Sequence, residues 1–117
     1  MLTAAAARSQ ARDGAEVTVA GLVTHRQQPP TARGVVFLSL EDETGMVNVI
    51  CPPQVWERHR QMATAAPALL VRGRLERAGG TGAGSAAGGA VSLVAATLRP
   101  LRVAAITKGA AASRDFR

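Results

Sequence analysis

The sequence predicts an all-β domain, a five-stranded Greek-key barrel with one capping helix between its third and fourth strands. Three observations predict it. The stretch Gly34–Cys51 reads as two alternating strands joined by a tight acidic turn, with one aliphatic face. Pro52-Pro53 then stop the strand and open a helical pattern, because proline suits the first helical turn. Two more alternating segments follow, separated by Gly79–Gly89, which holds six glycines in eleven residues. With 117 residues, 47% of them hydrophobic, the chain has room for one domain and a modest core.

Residues 1–15 are Ala-rich and polar with no strong period. They read as a linker, an N-terminal extension or a short helix, with Asp13-Gly14 marking a turn. The barrel is expected over residues 16–101. In 17–25, Val17, Val19 and Val23 share one face, the pattern of a strand, and Gly21 suits a sharp bend. Pro29-Pro30 make 26–34 a polar loop with Arg26 and Arg33 at its ends. The second strand points Val36, Leu38 and Leu40 inward and Val35, Phe37 and Ser39 outward. After the Glu41–Gly45 turn, Val47, Val49 and Cys51 point inward, Asn48 and Ile50 outward. Residues 54–65 set Val55, Trp56, His59 and Met62 on one side of a helix. The fourth strand, 68–77, sends Leu69, Val71, Gly73 and Leu75 inward and Leu70, Arg72, Arg74 and Glu76 outward. The glycine run is a flexible loop. The fifth strand lies near 91–98 and ends by Pro100, and 102–117 form an irregular tail. This order of elements is that of the OB barrel, whose helix plugs one end.

The formal net charge is +6, and of the 14 basic residues all but Lys108 are Arg. A basic balance favours a polyanionic partner such as nucleic acid or an acidic protein. Arg in place of Lys, with many Ala and Gly, is also what a GC-rich genome encodes, so part of this charge is compositional. The single cysteine, Cys51, excludes an intrachain disulfide and a Cys-cluster zinc site. His25 and His59 lack ligand spacing. No apolar segment reaches membrane-spanning length, and no signal-peptide pattern opens the chain. A cytoplasmic, nucleoid-associated setting is expected, with no membrane partner and no cofactor in this chain.

The outward face carries the candidate chemistry. Phe37 is a base-stacking platform, flanked by Ser39 and Asn48 as hydrogen-bonding groups for base edges or sugars. The plainer reading makes Phe37 a surface aromatic covered by another part of the protein, and Ser39 and Asn48 ordinary surface polarity. Arg26 and Arg33 could contact phosphates, as could Arg72 and Arg74 on the fourth strand; the alternative is a solvated Arg-rich surface. His25 is either on the binding side or a polar strand end. Glu41, Asp42 and Glu43 are expected to form a solvated turn rather than a metal site. Cys51 has no evident base beside it, so it is not read as a nucleophile. Trp56 and His59 are read as barrel-plug residues.

Residues 15–101 resemble the OB domain that follows the catalytic parts of bacterial C-family DNA polymerases. The likeness is carried by Val19-Ala-Gly-Leu-Val-Thr-His-Arg26, by Phe37-Leu-Ser-Leu-Glu-Asp-Glu-Thr-Gly-Met-Val-Asn-Val-Ile50 and by Pro67-Ala-Leu-Leu-Val-Arg-Gly-Arg-Leu-Glu76. Ser113-Arg-Asp-Phe-Arg117 is similar to the C-terminus of the error-prone, translesion branch. The Leu-Glu-Asp-Glu-Thr-Gly piece also occurs in the anticodon-binding OB domains of aspartyl-type tRNA synthetases, whose stacking Phe the position of Phe37 resembles. The resemblance implies a portion of a longer polymerase that copies damaged template, with the sliding clamp and a Y-family-like accessory protein as partners. The catalytic aspartates and their Mg2+ would belong to a palm domain outside this chain, which is expected to be non-catalytic by itself. What transfers is the holding of single-stranded DNA.

Two rivals stand beside that expectation. Outward Leu22, Val35, Phe37 and Ile50 could form an apolar patch that docks a protein, either the polymerase body or the accessory protein. An RNA-binding OB domain of the synthetase kind is the other; the polymerase-like tail argues against it.

Overall fold

The computed structural model describes residues 1–9, 12–77 and 91–102. The expected glycine-rich loop and most of the expected C-terminal tail lie outside these residues. In chain order the elements are α1 (Ala4–Ser9), β1 (Glu16–Gln27), β2 (Val36–Asp42), β3 (Gly45–Cys51), α2 (Pro53–Ala65), β4 (Ala68–Arg77) and β5 (Val91–Pro100). A short 3-10 turn, Pro30–Ala32, links β1 to β2. The strands close into a barrel in the order β1-β2-β3-β5-β4, and β3 and β5 run parallel. This is the OB topology that the element order predicts.

The predicted inward residues fill the barrel. Val36, Leu38 and Leu40 of β2 are buried, as are Val47, Val49 and Cys51 of β3 and Leu69, Val71 and Leu75 of β4. Alternation puts every second side chain inside, so each strand contributes a whole row of aliphatic groups to one core. Burial pushes the Cys51 thiol up to about 12, so it stays protonated and inert. Across the end of the barrel lies α2, with Pro53 at its first turn and Val55, Trp56 and Ala63 buried.

Of the readings of the N-terminal segment, the short helix forms, over Ala4–Ser9. Six residues make too short a helix to persist alone in water, and tertiary contacts hold it. Leu2 bridges Val19 of β1, and Ala4 and Ala7 are buried against the barrel. The N–H of Ala4 donates to Asp42 Oδ2 (2.9 Å), that of Ala5 to Thr44 Oγ1 (3.0 Å) and that of Ala6 to Thr3 Oγ1 (3.1 Å). These are orphan donors of the first helical turn. The acidic turn is therefore more than the solvated turn expected from sequence. Asp42 Oδ1 also accepts the Thr44 N–H (2.8 Å) and the Thr44 hydroxyl (2.6 Å). Burial works to raise the Asp42 pKa, but these hydrogen bonds and those from Ala4 and Gly45 outweigh it, and the carboxyl sits below its ordinary value.

β1 passes from its pairing with β4 to its pairing with β2 at Leu22, next to Gly21. The register with β2 shifts between Val23 and His25, so Thr24 is the extra residue of a β-bulge. Gly21 also serves close approach. A Cβ there would lie 3.0 Å from the Glu41 backbone and 3.2 Å from Leu40 Cβ, tighter than most packed contacts, so that the β2 backbone would have to give way.

Candidate nucleic-acid interface

The bulge at Thr24 decides which way the end of β1 faces. Strict alternation from Val17, Val19 and Val23 would send His25 inward. The extra residue reverses the phase: His25 pairs with outward Ser39, and Arg26 pairs with inward Leu38. Beyond the bulge, Gln27 stands opposite Phe37.

Two cross-strand rows result. In one, His25 faces Ser39, Ser39 faces Asn48, and Asn48 faces Ser92 at the start of β5. In the next, Gln27 faces Phe37, Phe37 faces Ile50, and Ile50 faces Val94. The rows, apart from Val94, line an open concavity of about 530 Å3, with Met46 and Leu38 completing it. Phe37 is 37% exposed and Met46 40%; among the described residues these two and Met1 are the exposed large hydrophobics. Of the lining residues only His25 is ionisable. The site can therefore offer a ring face, a thioether and neutral donors and acceptors, but no fixed charge.

Of the residues singled out by sequence, His25, Phe37, Ser39 and Asn48 come together here. Arg26 does not. Its phase turns it to the barrel end, where Nη2 donates to the carbonyls of Ala63 (3.1 Å) and Ala66 (3.0 Å) at the C-terminus of α2. The last turn of α2 has no basic residue of its own, so Arg26 supplies the cation that a helix C-terminus favours. Arg33 occupies the left-handed region (φ 55°) in the corner before β2, and its guanidinium makes no hydrogen bond or ion pair with described residues. It is exposed but does not line the concavity. Arg72 and Arg74 lie on β4, which contributes nothing to the concavity. They pair with Glu16 (3.0 Å) and Glu76 (2.9 Å).

Sequence reasoning missed Gln27, Met46 and Ser92 as lining residues. Met46 was findable, since it shares the outward parity of Asn48. Ser92 was not, because β3–β5 pairing joins segments that are distant in the chain. Among the described residues, no group of three or more His, Cys, Asp or Glu side chains could hold a metal ion. No described helix is long and apolar enough to cross a membrane.

Comparison with known proteins agrees with this geometry. The error-prone DNA polymerase of Mycolicibacterium paratuberculosis is 52% identical over 105 residues, which is 90% of this chain and 8% of the relative. That of Nocardia farcinica is 51% identical over 108 residues, 92% of this chain and 8% of the relative. The chain thus spans under a tenth of the length of the curated relatives it matches. Among solved structures, asparaginyl-tRNA synthetase from Pyrococcus horikoshii superposes with a TM-score of 0.64 at 18% identity, covering 86% of this chain and 23% of the other. The E. coli hypothetical protein ygiW gives 0.60 at 19%, covering 86% and 88%. Residues 17–101 match the family described as OB-fold nucleic acid binding domain. Closed barrel, helix placement and sequence match agree, and the chain belongs to the OB-fold nucleic-acid-binding domain family.

Proposed function

We propose that this chain is the OB-fold domain of an error-prone DNA polymerase and holds single-stranded template during synthesis across damage. The observation that carries the reading is the partly exposed Phe37 ring in an open concavity whose described lining includes the hydrogen-bonding side chains of His25, Gln27, Ser39, Asn48 and Ser92. A base can stack on such a ring whatever its sequence, and the flanking groups can hold its edge or sugar. The polymerase relatives support DNA as the ligand. Arg33, exposed in the corner before β2 and without a hydrogen bond or ion pair among the described residues, is the phosphate contact carried over from the sequence reading. In this scheme the sliding clamp, the Y-family-like accessory protein and catalytic Mg2+ concern the parent polymerase, acting in the cytoplasm at the nucleoid.

The test is fluorescence anisotropy of labelled single-stranded DNA titrated with this chain and with Phe37→Ala, at low and moderate salt. Binding weakened by Phe37→Ala by a factor corresponding to about 1–3 kcal/mol supports the role. No binding at low salt overturns it.

The second reading is protein docking. The absence of fixed charge among the described lining residues and the exposure of Met46 beside Phe37 favour it. An affinity for the rest of the polymerase that is insensitive to salt and lost with Phe37→Ala would select it.

A further inference from the structure

We propose that the row His25–Ser39–Asn48–Ser92 reads the edge of one unpaired base while Phe37 stacks its neighbour, so that the domain discriminates among bases instead of gripping every strand alike. The inference rests on the template-holding reading and specifies what that site selects.

Three observations lead to it. First, the polar atoms of the row are uncommitted. The side chains of Ser39, Asn48 and Ser92 make no hydrogen bond with any described residue, and His25 touches only Thr24 Oγ1, at 3.3 Å. Asn48 brings both an amide N–H and a carbonyl oxygen, the serines bring hydroxyls that donate and accept, and the imidazole does both. Such groups recognise a pattern of donors and acceptors; they do not attract a phosphate by charge. Asn48 stands in register between Ser39 and Ser92, so the three present one continuous line of hydrogen-bonding groups.

Second, the two rows have a spacing that suits separated bases. They lie two residues apart along each strand, which is roughly 7 Å. Stacked bases rise about 3.4 Å per strand step. Consecutive bases seated on the two rows therefore cannot stack on one another. A duplex, whose bases stay stacked and paired, cannot use the site, whereas a splayed single strand exposes both a ring face and a Watson–Crick edge.

Third, the described residues that line the concavity carry no fixed charge. What these residues offer a strand is contact with its bases and sugars, and the base contacts depend on base identity where hydrogen bonds are made.

The experiment uses the whole 117-residue chain. Labelled homopolymeric oligodeoxynucleotides of adenine, cytosine and thymine are titrated by anisotropy at one salt concentration, with Phe37→Ala, Asn48→Ala and Asn48→Asp in parallel. Asn48 is exposed, so its variants fold, and circular dichroism verifies this. The expected result is a preference of about fivefold or more for one base, the discrimination that one good side-chain contact supplies. Asn48→Ala should collapse the preference while binding persists. Asn48→Asp, which swaps the amide donor for an acceptor, should change which base is preferred. Phe37→Ala should weaken all three strands. Differences in strand stiffness are the same for every variant, so they cannot produce a change on mutating Asn48. Equal wild-type affinities, weakened together by Phe37→Ala, overturn base reading and leave template holding intact. A preference that survives Asn48→Ala also overturns the assignment to this row. No binding to any strand overturns both inferences.

Discussion

Replacing Arg26 by Met separates a structural cation from a DNA-binding one. In the structure the Arg26 guanidinium spends Nη2 on the carbonyls of Ala63 and Ala66, at 3.1 and 3.0 Å. Met62 O already accepts the Ala66 N–H, whereas the Ala63 carbonyl, one position on, relies on Arg26. Met keeps the apolar stem and removes both bonds and the charge. A hydrogen bond involving a charged group is worth roughly 1.5–3 kcal/mol when well shielded. Arg26 lies on an exposed rim, so water restores much of that to the freed carbonyls. The lost cation at a helix C-terminus adds about 0.3–1 kcal/mol. The sum after this discount is a loss of about 1–2 kcal/mol. In a domain of this size that lowers Tm by about 4–15 °C. Urea unfolding followed by Trp56 fluorescence measures it, because Trp56 is the single tryptophan and sits on α2. The salt dependence of DNA binding is measured on the same protein. Capping leaves that slope unchanged. Unaltered stability together with a slope reduced by about 0.7, the share of one phosphate on a single strand, would refute the reasoning and return Arg26 to the phosphate backbone.

Three further outcomes are expected. Gly73→Ala should destabilise the barrel by at least about 1–3 kcal/mol, read by urea unfolding, since a Cβ there would overlap the Val94 carbonyl oxygen and lie 2.9 Å from Ala95 Cα at the β4–β5 irregularity. Asp42→Asn should remove an acid-sensitive part of the stability: the Asp42 pKa is lowered on folding, so the unfolded chain binds the proton more readily, and the contribution is full above the unfolded value of about 3.9 and lost as pH falls through the folded one. The stability gap between wild type and Asp42→Asn, from unfolding curves between neutral pH and strong acid, should close at the acid end. Arg72→Ala and Arg74→Ala should each change stability by no more than about 1 kcal/mol, as exposed ion pairs do, and leave DNA affinity nearly unaltered in anisotropy titrations.

The sequence by itself determined the strand alternation, the helix opened by Pro52-Pro53, the inward aliphatic set and the outward trio Phe37, Ser39 and Asn48. These are local matters. Within one hairpin, side chains alternate every residue, so the aliphatic positions of β2 and β3 name the buried face and leave the other for binding. Only the tertiary structure decided the rest. A single extra residue at Thr24 reversed the phase of β1, which moved His25 onto the outer face and Arg26 to the foot of α2. Polar residues at the rim carry no alternation signal that could have revealed the slip. Parallel pairing of β3 with β5 brought Ser92 beside Asn48, and the turn at Asp42 and Thr44 organised an N-terminal helix too short to form alone. Register between distant segments and the docking of marginal elements are settled by the free energy of the closed core, which no local window of sequence contains.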